Sequence, residues 1–208
     1  MRITIFGASG ATGRELVSQA RAAGHDVSVF ARSVAGVARQ DIRVCQGDIV
    51  DAAAVRAALE NQDAVLSALG APSPFQPYPA FLDGIRNIVT GLEAAGPRRF
   101  LYLSFVGVPE SRHQFGFVGQ HLIAPWVLRQ ATEGHRLNEE IIRASPIDWT
   151  IVRAPKLTDG PRTSAYRMGE DLKSRGFVPT IARADVAEAM LQELGQPRYV
   201  RCCVTVMH

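Results

Sequence analysis

Short apolar runs alternate with longer amphipathic stretches along most of the chain. The apolar runs are rich in β-branched and aromatic residues, which is typical of strands in a buried sheet. They are Ile3–Phe6, Asp26–Ala31, Ile42–Cys45, Ala64–Ser67, Phe100–Ser104 and Trp149–Arg153. Helical patterns lie between most of them, including Gly13–Ala23, Ala52–Glu60 and Phe81–Ala95, and a final helix near Ala184–Leu194 precedes a last strand near Tyr199–Val206. This alternation predicts an α/β fold in which helices cover both faces of a parallel sheet.

Two segments interrupt the alternation. Ala71–Pro79 carries four prolines in nine residues, so it cannot form a helix and is predicted to be an extended loop. It follows the fourth strand, at the carboxyl edge where open α/β sheets bind ligands. The second segment, Gly107–Trp126, places Phe115, Phe117 and Trp126 among glycines and histidines. It is either a surface loop anchored by a few aromatic residues or a mobile wall over a substrate.

Length and composition fit one globular domain. The chain has 208 residues, of which 47% are hydrophobic and 21% charged, so it can bury a sizeable core. We predict a single domain over residues 1–208, with substrate-side insertions near residues 71–80 and 107–126. No apolar run approaches the roughly 18 residues that a membrane span needs. The first apolar run ends at Phe6 and is too short for a secretory signal, so we expect a cytoplasmic protein without membrane contact.

The charge balance favours a small anionic ligand over nucleic acid. The formal net charge is +3, and nearly all of the positive charge is arginine, since Lys156 and Lys173 are the only lysines. No dense basic run marks a nucleic-acid surface. Cys45, Cys202 and Cys203 show no metal-ligand spacing, so we predict no metal site.

The most informative motif is Gly7-Ala-Ser-Gly10-Ala-Thr-Gly13, between the first predicted strand and the first helix. Glycines here allow a tight turn and let backbone amides approach a pyrophosphate at the positive end of a helix. The spacing is GxxGxxG instead of the commoner GxGxxG, but its place between a strand and a helix makes it specific. It predicts a Rossmann-like, doubly wound parallel sheet with helices on both faces. The predicted phosphate-binding residues are Gly7, Ser9, Gly10, Ala11, Thr12 and Gly13.

The residues after the second and third strands indicate NADP(H). An NAD site usually carries Asp or Glu at the end of the second strand, but no acid occurs between Asp26 and Asp41, and Arg32 lies there instead. A guanidinium pairs well with the additional phosphate of NADP, although Arg32 could also be an ordinary surface residue. Asp48 and Ile49, after the third strand, are predicted to reach the adenine.

Six segments together resemble the atypical short-chain dehydrogenases/reductases of the NAD(P)H-binding, NmrA-like kind, with flavin/biliverdin reductase among their relatives. The segments are Ile5-Phe-Gly-Ala-Ser-Gly-Ala-Thr-Gly13, Gln46-Gly-Asp48, Ser67-Ala-Leu-Gly70, Leu103-Ser104, Asp148-Trp-Thr-Ile-Val-Arg153 and Arg183-Ala-Asp-Val-Ala187. The resemblance implies that Leu69, Gly70 and Ser104 flank the ribose and nicotinamide of the cofactor. It also implies that Pro155 and Leu157 border the nicotinamide.

The sequence departs from the better-known members of that group at the catalytic pair. Those members use Tyr-x-x-x-Lys, in which tyrosine transfers the proton and lysine lowers the pKa of the tyrosine. None of the four tyrosines here has lysine four residues later; they are Tyr78, Tyr102, Tyr166 and Tyr199. In the resemblance, Ala131 takes the position of the tyrosine and His135 that of the lysine. The tyrosine–lysine mechanism is therefore excluded.

Three side chains remain as candidate catalytic residues. Ser104 could hydrogen-bond a substrate oxygen or be a simple strand-end hydroxyl, and Lys156 could stabilise an oxyanion or be a solvated loop residue. His135 has a pKa range suited to proton exchange, but a surface or ribose-contact role is also open. His113 and His121, in the aromatic segment, are further candidates to face a substrate.

These observations predict an NADPH-dependent reductase, a monomer or homodimer, that passes hydride to a small conjugated acceptor such as a quinone or flavin. Such a reaction needs little more than correct positioning, because the proton can come from solvent. Two alternatives stay open. One is a non-catalytic NADP-sensing protein, and the other is a carbonyl or enone reductase that uses Ser104 and Lys156.

Overall fold

Strands and helices alternate along the chain, as the sequence pattern predicts. The computed structural model describes residues 1–33, 42–71, 73, 75–76, 78–94, 99–115, 120–122, 126, 128–174 and 178–208. In chain order its elements are β1 Arg2–Phe6, α1 Ala11–Ala22, β2 Asp26–Ala31, β3 Arg43–Gln46, α2 Ala52–Leu59, β4 Ala64–Ser67, α3 Pro79–Ala94, β5 Arg99–Phe105, a 3₁₀ turn Arg112–Phe115, α4 Arg129–Ala144, β6 Asp148–Ala154, β7 Lys156–Thr158, β8 Arg167–Gly169, β9 Thr180–Ala182, α5 Arg183–Gly195 and β10 Cys202–Met207.

Eight of the strands form one sheet, in the order β3-β2-β1-β4-β5-β6-β10-β8. Its neighbouring strands are parallel except β10 and β8, which are antiparallel. Strands β7 and β9 pair separately as a short parallel sheet. The chain moves outward from β1 in one direction through β2 and β3, and in the other from β4 onward. This reversal leaves a crevice at the carboxyl ends of β1 and β4, where folds of this kind bind ligands.

Alternate residues of the central strands face opposite layers of helices. Ile5 of β1 and Leu101 of β5 belong to a core shared with α1 and α5. Phe6, Phe100 and Tyr102 belong to the opposite core, shared with α2, α3 and α4. The period-two alternation of the strands thus fills both cores, and the predicted doubly wound sheet with helices on both faces is confirmed.

Several boundaries differ from those predicted. Helix α1 begins at Ala11, two residues before the predicted start, because Gly10 is its N-cap with an extended backbone. The last strand begins at Cys202 and not near Tyr199, since Arg201 just before it has a φ of 58°. Helix α4 and strands β7, β8 and β9 were not predicted; the three strands have three residues each, too few to display a periodicity.

Parts of three predicted features lie outside the described residues. These parts are Ala95 at the end of the third predicted helix, residues 72, 74 and 77 of the proline-rich segment, and residues 116–119, 123–125 and 127 in or beside the aromatic segment. Within the described ranges, no helix combines the length and the apolar character needed to cross a membrane.

Candidate functional site

The glycine-rich loop joins β1 to α1 at the carboxyl edge of the sheet. Gly7 has a φ of 80°, and a Cβ atom there would lie 2.6 Å from the carbonyl oxygen of Ala68, just beyond β4. A Cβ atom on Gly13 would collide with the carbonyl oxygen of Gly7. A Cβ atom on Gly10, in contrast, would meet the Gly7 carbonyl oxygen at 3.3 Å and face open space otherwise among the described atoms. Gly7 and Gly13 therefore allow the loop to pack tightly, and Gly10 leaves room in front of α1.

The start of α1 is suited to an anion. Gly10 caps the helix without a side-chain hydrogen bond, and the first turn contains no acidic residue. The first amides of a helix have no carbonyl partner within it, and they lie at the positive end of the helix dipole. A phosphate in front of Gly10 could accept hydrogen bonds from these amides.

A cavity of about 190 Å³ lies along this loop and reaches the end of β2. Its wall includes Gly7, Ser9, Gly10, Arg32 and Ile49. The Arg32 side chain is at the far end of β2, on the exposed rim. The cavity can therefore present a cation to one end of a ligand and backbone amides to its middle.

A second cavity, of about 330 Å³, continues the first. The residues that line both are Ala68, Leu69, Gly70, Tyr78 and Phe81. Beyond them the second cavity is bounded by the end of β5, the first half of α4 and the β6–β7 corner, with Ser104, Ala131, His135, Pro155 and Leu157 in its wall. The described residues that line it include no Asp, Glu, Lys or Arg. The two cavities thus form one groove with a cationic end and an uncharged end.

His135 faces the uncharged end from α4 and is bound on its inner side by buried groups. Its Nδ1 lies 2.8 Å from the hydroxyl of Tyr102, which in turn accepts a hydrogen bond of 3.2 Å from Nδ2 of Asn138. The ring of Phe81 packs against the imidazole in an edge-on arrangement, with the ring centres 5.3 Å apart. Removal from water lowers the pKa of His135 to about 4, so the imidazole is neutral near pH 7.

Ser104 lies beside His135 but gives its hydroxyl proton to a different partner. Its Oγ donates to Oε1 of Glu139 at 2.6 Å and lies 3.5 Å from His135 Nδ1. Glu139 also accepts two hydrogen bonds from Arg153, of 3.1 Å and 2.5 Å. All three side chains are buried, so the carboxylate and the guanidinium neutralise each other beneath the cavity floor. The Ser104 hydroxyl therefore has its proton on the side of Glu139.

Most of the predicted cofactor residues line one of the two cavities. They are Gly7, Ser9, Gly10, Thr12, Arg32, Ile49, Leu69, Gly70, Ser104, Pro155 and Leu157. Ala11 and Gly13 belong to the loop and first helical turn without lining either cavity. Asp48 does not line them: it is exposed, and its carboxylate accepts from the backbone amide of Val50 at 3.2 Å.

One of the three candidate catalytic residues and both histidines of the aromatic segment lie outside the cavity wall. Lys156 is exposed on β7, while its neighbours Pro155 and Leu157 line the cavity, because successive side chains of a strand point to opposite sides. His113 is exposed and lies 3.0 Å from Asp171, and His121 is exposed as well. The structure therefore brings together His135 and Ser104 but not these three side chains.

Sequence reasoning missed Tyr102, Asn138, Glu139 and Arg153. Tyr102 looked like a core residue of β5, and it is indeed fully buried. The sequence pattern that could have indicated these residues is the polar triplet His135, Asn138 and Glu139, whose spacing places all three on one face of a helix.

No metal site is built by the described part of the chain, since no group of three or more His, Cys, Asp or Glu side chains is close enough to hold an ion. The three cysteines are free thiols. Burial raises the pKa of Cys203 to about 11, which keeps that thiol protonated and unreactive.

Comparison with known families places the chain among NAD(P)H-binding proteins. A family model described as NAD(P)H-binding matches residues 7–197. The chain belongs to this NAD(P)H-binding family. YwnB of Bacillus subtilis, an uncharacterised protein, is 28% identical over 207 residues, which span 96% of this chain and 94% of YwnB.

Solved structures share the fold of this NAD(P)H-binding protein. ChuY, an anaerobillin reductase from Escherichia coli O157:H7, superposes with a TM-score of 0.79 at 23% identity, over 99% of this chain and 96% of ChuY. A short-chain dehydrogenase/reductase from Veillonella parvula, solved in complex with NADP, superposes with a TM-score of 0.78 at 18% identity, over 100% of this chain and 94% of its own. These neighbours confirm the resemblance to short-chain reductases at the level of the fold.

Proposed function

We propose that this protein binds NADP(H) in the groove and reduces a small, uncharged conjugated molecule such as a quinone or a flavin ring. The observation that carries the proposal is the continuity of the groove. One end has the glycine loop and Arg32, and the other end is apolar and uncharged, with neutral His135 in its wall. A ligand that fills both ends needs an anionic half and an uncharged, planar half.

The residues present fit a dinucleotide. Gly10 is the position where a side chain would fill the approach to α1, and its lack of a Cβ atom leaves that space to a pyrophosphate. Leu69 and Gly70 lie midway along the groove, at the β4 edge, where a ribose would lie. Pro155 and Leu157 provide an apolar surface against which a nicotinamide could pack.

Arg32 favours NADP over NAD. Its guanidinium is on the rim of the adenosine end, and the described residues lining that cavity include no carboxylate that could hold the ribose hydroxyls of NAD. A charge-assisted hydrogen bond to the additional phosphate contributes about 1.5–3 kcal/mol. The Veillonella parvula relative, which shares the fold, is named as an NADP complex.

The uncharged end favours an acceptor that needs no general acid. The cofactor, when bound, would supply the hydride; the protein's own groups would position the acceptor, and the proton would come from solvent. A carbonyl reductase that depends on Ser104 and Lys156 is disfavoured, because the Ser104 proton is donated to Glu139 and Lys156 is exposed outside the cavity. ChuY, which shares the fold, is named as an anaerobillin reductase.

The test is the oxidation of NADPH, followed by absorbance, against a panel of quinones, flavins, enones and simple ketones. We expect turnover with quinones or flavins and little with ketones. The Gly10→Val variant is the matched control, since it should fold normally but should no longer bind NADPH. Tight NADPH binding without turnover of any acceptor would contradict the reductase proposal and favour an NADP-sensing protein.

A further inference from the structure

We propose that Tyr102 and Asn138 hold His135 as the neutral tautomer with its proton on Nε2, so that His135 offers an N–H donor to an acceptor oxygen in the cavity. The catalytic part of this inference rests on the proposed reductase function. The tautomer itself does not, and it can be tested in the protein without a cofactor.

The phenolic proton of Tyr102 determines which nitrogen of His135 accepts a hydrogen bond. The side chain is fully buried, and burial raises the pKa of Tyr102 well above its ordinary value, so the phenol keeps its proton. Its oxygen already accepts a hydrogen bond from Nδ2 of Asn138. The phenol proton therefore points to the remaining neighbour, His135 Nδ1, at 2.8 Å.

The hydrogen bond from Tyr102 fixes the tautomer of the His135 imidazole. A neutral histidine carries one ring proton, and the nitrogen that accepts a hydrogen bond is the one without it. Nδ1 accepts from Tyr102. Ser104 does not compete as the donor, because its own proton is donated to Glu139 at 2.6 Å and its oxygen is 3.5 Å from Nδ1. The ring proton of His135 is therefore on Nε2.

The orientation of the His135 ring decides which of its nitrogens faces the cavity. Nδ1 is turned toward buried Tyr102, and the Phe81 ring packs edge-on against the imidazole and restricts its rotation. Because His135 lines the cavity, the opposite edge of the ring, with Nε2, is the part available to a ligand. The described cavity wall carries no charged side chain that could take this hydrogen bond first.

A neutral imidazole can stabilise an oxyanion without giving up its proton. When bound, the reduced cofactor would supply a hydride and water would supply one proton, so that a quinone would be reduced to a hydroquinone with the cofactor as the electron donor. The electron pair displaced by the hydride collects on a quinone oxygen, which accepts the hydrogen bond from Nε2–H. His135 is unchanged at the end, since transfer of its only ring proton would leave an unfavourable imidazolate. Tyr102 and Asn138 are positioning residues, because they act through His135.

The tautomer can be measured directly by nuclear magnetic resonance of the ¹⁵N-labelled, cofactor-free protein. The chain has five histidines, and the signal that disappears in His135→Gln identifies the one of interest. We expect a pyridine-like Nδ1 and a pyrrole-like Nε2 at pH 7. Tyr102→Phe should give a mixture of tautomers, whereas Tyr166→Phe, which removes a hydroxyl bound to Gln192 away from the cavity, should leave the signal unchanged. A pyrrole-like Nδ1 in the unmodified protein overturns the proposal, even if Tyr102→Phe does not fold.

Turnover tests the catalytic consequence separately. With saturating NADPH and a quinone that is turned over, His135→Leu and Tyr102→Phe should each lose about tenfold in single-turnover rate with cofactor affinity retained, as expected for one hydrogen bond. His135→Gln keeps an amide N–H and should recover part of the loss. An unchanged rate in His135→Leu would overturn the donor role while leaving the reductase function intact. If no acceptor is turned over, the reductase proposal fails and the resonance measurement alone decides on the tautomer.

Discussion

Acidification should destabilise this protein through His135 before most carboxylates titrate. The imidazole is half-buried and its nearest polar partners are Tyr102 and Ser104, so no carboxylate directly compensates a positive charge on the ring. Its pKa is lowered from the ordinary 6.5 to about 4. In the unfolded chain the same imidazole titrates near its ordinary value.

The sign and size of the effect follow from proton linkage. Between pH 6.5 and about 4 the unfolded chain binds a proton at residue 135 and the folded protein does not, so stability falls as the pH falls. Above pH 6.5 neither state is protonated there, and the full stability is present. At about 1.36 kcal/mol for each unit of pKa, the loss across this window approaches ~3 kcal/mol. That is a large share of the roughly 5–15 kcal/mol that stabilises a typical domain.

Urea unfolding at a series of pH values, for the unmodified protein and for His135→Gln, isolates this contribution. The difference between their unfolding free energies should be constant above pH 7 and should decrease by ~3 kcal/mol toward pH 4. Other titrating groups cancel in the difference. His113→Gln, which removes an exposed imidazole beside Asp171, is the control. Parallel curves for the unmodified protein and His135→Gln would refute the reasoning, because they would mean that His135 is protonated as easily in the fold as in the unfolded chain.

Four further outcomes are expected. Gly10→Val should keep the far-ultraviolet circular dichroism of the fold and abolish NADPH binding. Gly13→Ala should lower the melting temperature, because its Cβ atom would collide with the Gly7 carbonyl oxygen. If the two variants had equal melting temperatures and equal NADPH affinities, the loop geometry would be contradicted. Arg32→Ala should weaken the binding of NADPH by about 1.5–3 kcal/mol in calorimetric titration and leave the binding of NADH unchanged. Equal affinities of the unmodified protein for NADPH and NADH would contradict the role assigned to Arg32. Glu139→Ala should cost about 3–5 kcal/mol in urea unfolding, since it strands a buried guanidinium, and a neutral effect would mean that Arg153 finds another partner. Lys156→Ala should leave single-turnover reduction within a few-fold of the unmodified rate; a hundredfold loss would indicate an essential general acid.

The fold was largely predictable because its signals are local. Each long strand has its own apolar run, and the seven residues of the glycine loop, Gly7–Gly13, predict the first βα turn. Strands β7, β8 and β9 escaped prediction because a run of three residues carries no period. The cluster of Tyr102, Ser104 and His135 escaped it for a different reason: it depends on how β5 packs against α4, more than 30 residues later, and no local pattern specifies that pairing.

The packing of β5 against α4 has a consequence for engineering. Phe100, Tyr102 and Ser104 occupy successive positions on one side of the strand, and their character changes stepwise from hydrocarbon to phenol to hydroxyl as the strand nears the cavity. Phe100 lies in the apolar core, whereas Tyr102 and Ser104 lie beside His135. A designer could therefore vary positions 102 and 104 together with 135 as a compact library that changes the polarity at one end of the groove, while Phe100 and the glycine loop stay unchanged.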